Sequence, residues 1–333
     1  MIRWPLLRRR PAVSAPRRMP VVRMELVGRE HAGKSILLDE MSRVCQDHGF
    51  RSGLQLRITD PRNLAVILRQ RRGSEAALRQ KGRETTIHPE TWACSLCEQD
   101  VEHAAVRIRD AIGQILSHTT PHSPAEQQSR YEQYLNHLAG ADVLWMVVPC
   151  IPASATAADI SRFKDDLHLH SGYVQAALAR RENGRPCVLA VVLNRLDTRY
   201  ARIEDAQNRL SREILPWLRR QVEPLAASRK VGAAAIFPVT ALGFGTTVLR
   251  TGSPHHPRSS LWLSAGENEW LLKPGHAPSP YNLRPLLAWS VLAGLVHQEA
   301  AGVPNLSSLT QVCRQFREDL RSLRGWQVSL KDF

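Results

Sequence analysis

A segment of eight residues near the N-terminus has the spacing of a phosphate-binding loop. Gly28-Arg-Glu-His-Ala-Gly33-Lys34-Ser35 matches the pattern G-x-x-x-x-G-K-[ST]. Its glycines let the backbone turn so tightly that successive N–H groups face one phosphate, while the lysine reaches the β- and γ-phosphates and the serine hydroxyl coordinates Mg²⁺. The sequence therefore predicts a nucleoside triphosphate site. Its predicted phosphate contacts are Gly28, Arg29, Glu30, His31, Ala32, Gly33, Lys34, Ser35 and Ile36.

A second motif, Asp110-Ala-Ile-Gly113-Gln114, follows the strand-like run 104–109. An aspartate at the end of a strand beside the loop can hold Mg²⁺ through water, and the Gly113 N–H can contact a γ-phosphate. We expect this motif to lie at the triphosphate end of the site.

Two later motifs have the chemistry to recognise a base. In Asn194-Arg-Leu-Asp197, the aspartate carboxylate can accept two hydrogen bonds from guanine, from N1–H and the N2 amine, which adenine does not offer. Thr240-Ala241-Leu242 follows the next predicted strand, where a backbone N–H can meet the guanine O6. Both motifs favour GTP over ATP.

These four motifs, in this order and at strand ends, resemble those of the Ras-like (TRAFAC-class) GTPases over roughly residues 21–245. Within that class, the chain looks most like the bacterial double-GTPase-type domains of multi-gene conflict systems. That finer resemblance depends on the long insertion after the loop, the extended gap before the strand 143–148, and the segment Pro-Tyr-Asn-Leu-Arg-Pro-Leu-Leu-Ala-Trp at 280–289.

The resemblance implies residue roles. Lys34 would bind phosphate, Gln114 would orient the attacking water, and Ser35, Thr86 and Asp110 would hold Mg²⁺. Thr86 is the favoured switch threonine, and Thr85 and Thr91 stay open as alternatives. Base recognition would fall to Asn194, Arg195, Asp197, Thr240, Ala241 and Leu242. Two positions depart from the family, since Arg195 stands where lysine is usual and Thr240 where serine is common.

The resemblance also implies an activity: slow hydrolysis of GTP to GDP and phosphate with Mg²⁺, read by a protein partner encoded in the same bacterial system. Two alternatives stay open, a nucleotide-binding adaptor that does not hydrolyse GTP, and a P-loop ATPase. Binding of nucleic acid is a third possibility and is not favoured. The pair Cys94 and Cys97 has metal-ligand spacing, but no second Cys or His pair accompanies it, so we expect core or rim cysteines.

Short apolar runs alternate with amphipathic helices, which predicts an α/β fold of three layers. The expected sheet is the mostly parallel sheet of a P-loop NTPase, with one antiparallel hairpin at 91–97 and 104–109. The predicted organisation is a flexible basic tail at 1–20, a GTPase domain at 21–297 and a C-terminal helical extension at 298–333. Within the domain, 51–90 is a basic insertion with the switch region, and 243–280 is rich in loops.

Charge is concentrated in two places. The net charge is +14, the first 23 residues hold seven arginines and no acid, and residues 51–88 hold nine basic against three acidic residues. The rest is nearly neutral, so solvated basic segments are favoured over a dedicated nucleic-acid or membrane surface. Six scattered cysteines and no apolar run long enough to cross a bilayer predict a cytoplasmic protein.

Overall fold

The computed structural model describes the chain in segments separated by gaps. The described residues are 19–28, 32–34, 37–38, 40–41, 44, 53–59, 91–98, 101–110, 124–150, 156–181, 185–241, 243–244, 247–251, 268–272, 279–300, 309–322 and 326–332. All structural statements below concern these residues.

Ten strands are present among them. They are β1 Val21–Val27, β2 Leu54–Ile58, β3 Thr91–Glu98, β4 Val101–Asp110, β5 Val143–Pro149, β6 Cys187–Asn194, β7 Val231–Pro238, β8 Thr247–Thr251, β9 Asn268–Leu272 and β10 Val328–Lys331. Eight of them form one sheet in the order β10-β7-β6-β5-β1-β4-β3-β2, and β8 pairs with β9 in a separate ribbon. Strands β7, β6, β5, β1 and β4 are mutually parallel, so their carboxyl ends meet at one edge.

Six helices among the described residues cover the sheet. They are α1 Pro124–Ala139, α2 Ala157–Arg180, α3 Ile203–Arg209, α4 Leu215–Ala226, α5 Leu283–Ala300 and α6 Leu309–Ser322. A π-helical turn at Leu210–Ile214 joins α3 to α4. Helical residues also follow the phosphate-binding loop, at Lys34, Leu37, Leu38, Glu40, Met41 and Val44.

The core lies in two apolar layers, one on each face of the sheet. One layer contains residues of the helix after the loop together with α5 and α6, and the other contains residues of α1, α2, α3 and α4. Central strands buried on both faces need continuous apolar sequence, and every residue of β5 and β6 is buried. The indole N–H of Trp145 on β5 donates to the Ser290 hydroxyl on α5 at 2.8 Å, which fixes that helix to the sheet.

This three-layer arrangement, with a loop and helix after β1 and an antiparallel β3–β4 hairpin, is the α/β fold of a P-loop NTPase. The predicted fold class is therefore confirmed. Three features were not predicted: the edge strands β2 and β10, which pair antiparallel with β3 and β7, and the β8–β9 ribbon inside the loop-rich stretch 243–280. Edge strands are short and half-polar, so they lack the apolar run that identifies β5 and β6.

Within the described part of the chain, no helix combines the length and the apolar character needed to cross a membrane.

Candidate nucleotide-binding site

The described site residues gather where the parallel strands end. The phosphate-binding loop follows β1, Asp110 ends β4, Asn194 ends β6, and Thr240 follows β7. In open α/β sheets, ligands bind in the crevice outside the carboxyl ends of the strands. The fold thus brings together four segments that are up to 212 residues apart, from Gly28 to Thr240.

Two glycines of the phosphate-binding loop are required by close contacts. A Cβ atom at Gly28 would lie 2.7 Å from the carbonyl oxygen of Val147 on β5. Gly33 has a φ of +82°, a conformation that side chains rarely adopt, and a Cβ there would lie 2.8 Å from Asn194 Nδ2. The motif glycines are therefore explained by packing and backbone conformation, independently of any ligand.

Lys34 and Asp110, the predicted phosphate and Mg²⁺ residues, lie close together. Lys34 Nζ donates to the Gly28 carbonyl at 2.9 Å and lies 3.9 Å from Asp110 Oδ1. Both side chains are buried, with 6% and 2% of their surface exposed. Charged residues are seldom buried so completely unless they are paired, so this ion pair is what allows both groups to occupy the crevice.

Asn194 connects the phosphate-binding loop to the base motif. Its Nδ2 donates to the Ala32 carbonyl at 3.0 Å and to the Gly33 carbonyl at 3.4 Å. The side chain is buried, and its Oδ1 has no hydrogen-bond partner among the described residues. Because a buried acceptor without a donor is uncommon, this oxygen marks a place where an external donor could be accommodated.

Asp197 and Thr240, both predicted to contact the base, lie side by side. Asp197 sits in a 3₁₀ turn, Leu196–Thr198, which follows Arg195 in the left-handed conformation with φ of 65°. The Thr240 side chain hydrogen-bonds the Asp197 carboxylate and accepts the Gly243 N–H at 2.6 Å. Burial raises the pKa of Asp197 to about 6, against the lowering effects of the hydrogen bond from Thr240 and the charge of Arg195.

The remaining predicted contacts divide into two groups. Ala241 is described and buried directly after Thr240, and Thr91 is exposed at the start of β3. The others lie outside the described residues: Arg29, Glu30, His31, Ser35, Ile36, Thr85, Thr86, Gly113, Gln114 and Leu242. Their predicted roles stay predictions.

Sequence reasoning missed two residues that hold the base motif. Tyr281 pairs with Thr240 through two backbone hydrogen bonds, Thr240 N–H to the Tyr281 carbonyl at 3.2 Å and Tyr281 N–H to the Thr240 carbonyl at 3.0 Å. Asn282 follows with a φ of 61°, which is unusual outside glycine. Both belong to the segment 280–289 that contributed to the family resemblance, but nothing in that segment indicated which loop it would contact.

Glu25 is a buried carboxyl that the motifs also did not predict. It lies on the central strand β1, beside Arg109 of β4 in the strand register, and is 8% exposed. Burial raises its pKa to about 7, with Arg109 lowering it and Asp110 raising it. Burial raises the pKa of the Tyr134 phenol on α1, and the charge of Glu25 raises it further.

The donor set at the phosphate end fits Mg²⁺. Among the described residues, no group of three or more His, Cys, Asp and Glu side chains could hold a metal ion by itself. Mg²⁺ at triphosphate sites is typically held by one or two protein oxygens with phosphates and water, and the buried Asp110 carboxylate has the chemistry of such a ligand. Cys94 and Cys97 are buried free thiols within β3.

Comparisons with known proteins add little beyond the fold. No protein-family model and no curated protein matches the chain. Among solved structures, it is similar to the translation elongation factor SelB from Methanococcus maripaludis in complex with the GTP analogue GppNHp, at 10% identity and a TM-score of 0.32. The likeness covers 67% of this chain and 30% of that chain, so this chain spans less than a third of its length. A similarity this weak supports no functional conclusion, and the fold assignment depends on the strand order.

Proposed function

We propose that this protein is a GTP-binding switch that binds GTP with Mg²⁺ and hydrolyses it slowly to GDP and phosphate. One observation carries the proposal: a phosphate end, Lys34 with Asp110, and a base end, Asp197 with Thr240, lie along one sheet edge, with Asn194 hydrogen-bonded to the loop between them. This is the layout that a nucleoside triphosphate requires, with its charged end and its base held by different strands.

At the phosphate end, the chain supplies positive charge and backbone donors. The Lys34 ammonium lies at the loop and would contact the β- and γ-phosphates. Asp110, with Ser35 and Thr86 as further proposed ligands, would hold Mg²⁺, which neutralises charge on the phosphates when bound. Lys34 Nζ and Asp110 Oδ1 are 3.9 Å apart, so the charges of these two side chains offset each other.

At the base end, Asp197 is the group that would distinguish guanine from adenine. Its carboxylate accepts hydrogen bonds and offers none, so it complements the N1–H and N2 amine of guanine. Adenine presents an unprotonated N1 and no amine at C2, so it would leave the buried carboxylate unpaired at a cost in affinity. The Ala241 backbone N–H is the proposed donor to the guanine O6, and Arg195 would stack its stem on the base.

Hydrolysis would depend on positioning and charge stabilisation. Gln114 is the proposed residue that orients the attacking water, and Lys34 stabilises charge that develops on the oxygen between the β- and γ-phosphates. The segments with Thr86 and with Asp110–Gln114 would order on the γ-phosphate and relax once it leaves, which is the switch. A partner protein would read that change, and the finer resemblance proposes proteins of the same bacterial conflict system.

The test of nucleotide identity is equilibrium binding of fluorescent GTP and ATP, with Mg²⁺, to the wild type and to Asp197→Ala. We expect a GTP preference of about a hundredfold or more in the wild type, lost in the variant, since two hydrogen bonds to a buried carboxylate contribute about 3 kcal/mol or more. Asp165→Ala, an exposed aspartate on α2, is the matched control and should keep the preference.

Each alternative predicts its own result in this binding experiment or in an assay of phosphate release from GTP. Equal binding of GTP and ATP in the wild type would favour the P-loop ATPase and reject the base assignment. Tight GTP binding without phosphate release over several hours would favour the non-hydrolysing adaptor. Phosphate release that is lost in Gln114→Ala, with GTP affinity unchanged, would support the switch enzyme.

A further inference from the structure

We infer that the C-terminal strand β10 is a positioning element for base recognition, and that Asn282 is the residue that connects the two. The inference rests on the proposed function, because it concerns the same base site. The segment 279–283 contacts both Thr240, which follows β7, and Trp326, which precedes β10. No motif and no comparison assigns a role to Asn282.

The Asn282 side chain joins two distant segments of backbone. Its Nδ2 donates to the Pro238 carbonyl at 2.9 Å and to the Trp326 carbonyl at 2.5 Å, while its Oδ1 accepts the Trp326 N–H at 3.1 Å. Both donors and the acceptor of the amide are therefore used, and the side chain is 6% exposed. A carboxylate cannot donate, and leucine or alanine can neither donate nor accept, so this bridge requires an amide.

From Asn282 the contacts lead to the base-recognising carboxylate in two steps. The preceding residue, Tyr281, holds the backbone of Thr240 on both its N–H and its carbonyl. Thr240 is fully buried, and its side chain hydrogen-bonds the Asp197 carboxylate. Movement of the segment 279–283 would therefore move Thr240, whose side chain orients the Asp197 carboxylate.

Strand β10 is anchored independently of the base site. Its residues pair antiparallel with β7, from Val328 opposite Ile236 to Lys331 opposite Ala234. Lys331 Nζ donates to the carbonyls of Ser228 and Val231, at the opposite end of β7 from Thr240. Trp326, Val328 and Leu330 pack against the apolar layer formed with α1, α2 and α4. These contacts hold the strand whose preceding residue, Trp326, is bridged by Asn282.

Among the described residues, the phosphate end lies further from β10 than the base end does. Asp110 ends β4 and Lys34 lies in the helix after β1, and two strands, β5 and β6, separate β1 from β7 in the sheet. Loosening β10 should therefore weaken discrimination between bases much more than affinity for the triphosphate. That asymmetry distinguishes a positioning role from general destabilisation, which would reduce affinity for every nucleotide together.

The test measures the ratio of GTP to ATP affinity in Asn282→Gly, using the full chain and fluorescent nucleotides with Mg²⁺. Glycine keeps the left-handed backbone and removes the amide. We expect the GTP preference to fall about tenfold, the effect of misaligning one charge-assisted hydrogen bond, while ATP affinity changes less than about twofold. Asn136→Ala is the matched control, since Asn136 is an exposed amide on α1 that accepts from Arg180, and should leave the ratio unchanged.

The outcomes separate this inference from the function it rests on. A wild type without a GTP preference overturns the proposed function and the inference with it. A wild-type preference that persists in Asn282→Gly overturns the inference alone, as does an equal loss of GTP and ATP affinity. If Asn282→Gly does not fold, Lys331→Gln loosens β10 from its far end. It should lower the ratio at least about twofold, a small hydrogen-bond effect, and an unchanged ratio overturns the inference.

Discussion

At the scale of single residues, Asp197 combines burial with a need for negative charge. Burial raises its pKa to about 6, whereas the hydrogen bond to Thr240 and the charges of Arg195 and Arg199 lower it. In the proposed function only the ionised carboxylate accepts both hydrogen bonds from guanine. Protonation of Asp197 in the unliganded protein therefore competes with guanine binding below about pH 6.

This competition predicts that the preference for GTP over ATP weakens as the pH falls. At pH 5.5 a group with a pKa of about 6 is about one quarter ionised, so the affinity ratio should drop about fourfold between pH 7.5 and 5.5. Titration of the triphosphate affects GTP and ATP equally, so it cancels in the ratio of their affinities. Titrations with both fluorescent nucleotides at the two pH values provide the measurement.

The control for this pH dependence is Asp197→Asn, which cannot ionise and should give a ratio that is flat with pH. A wild-type ratio that is equally flat would contradict the assignment of Asp197 to the base.

At the scale of elements, the phosphate-binding loop and the loop after β6 are packed directly against each other. Gly33 contributes a left-handed turn, and Asn194 Nδ2 occupies the space that a side chain at Gly33 would need. The Asn194 amide holds the Ala32 carbonyl at 3.0 Å. The two loops therefore form one unit, so a disturbance at their contact should reach both ends of the site.

Gly33→Ala should accordingly lower both nucleotide affinity and stability. The strained backbone and the 2.8 Å contact should cost about 1–3 kcal/mol of unfolding free energy, together with at least a tenfold loss of GTP affinity. Urea unfolding and fluorescent GTP titration measure the two effects.

Gly172→Ala is the matched control, because Gly172 lies within α2 and a Cβ there meets nothing within 4 Å. It should raise stability by about 0.5–1 kcal/mol and leave GTP binding unchanged. Equal effects of the two substitutions on binding would show that the loop contact is not important.

At the scale of the whole molecule, folding buries one carboxyl in the central strand at a cost. Glu25 has a pKa of about 7 in the fold against an ordinary value of 4.5, chiefly because of burial. Arg109 lowers the pKa of Glu25 and Asp110 raises it. The charge of Glu25 in turn raises the pKa of the Tyr134 phenol. The folded state therefore binds a proton more readily than the unfolded chain between pH 4.5 and about 7.

The sign of this linkage predicts that Glu25 lowers stability as the pH rises through that window. Its cost is absent below pH 4.5 and complete above about pH 7, where it amounts to about 3 kcal/mol. Glu25→Gln should therefore stabilise the protein by about 3 kcal/mol at pH 8, since the pKa of about 7 already includes the attraction to Arg109, and by much less at pH 5. Urea unfolding at both pH values measures the difference, with the exposed Glu223→Gln as the surface control. A gain at pH 5 equal to that at pH 8 would refute the assignment.

Much of the architecture could be predicted because its signals are local. The buried strands β5 and β6 are continuous apolar runs, so the sequence alone identifies them as central strands. The edge strands β2 and β10 were not predicted, since Leu54–Ile58 and Val328–Lys331 alternate between buried or half-buried and exposed positions over only a few residues. Pairing with a neighbouring strand, rather than their own composition, makes them strands.

By itself, the sequence determined the α/β fold class, and it predicted a phosphate-binding loop followed by motifs with the chemistry to bind guanine at strand ends. Those signals are short because the chemistry needs residues at close spacing, as in Gly33 and Lys34. Only the tertiary structure decided that Glu25 is buried beside Arg109, and that Asn282 joins the base loop to Trp326, 44 residues further along the chain. Such contacts form only when distant segments come together in the sheet, so no local pattern of residue types predicts them.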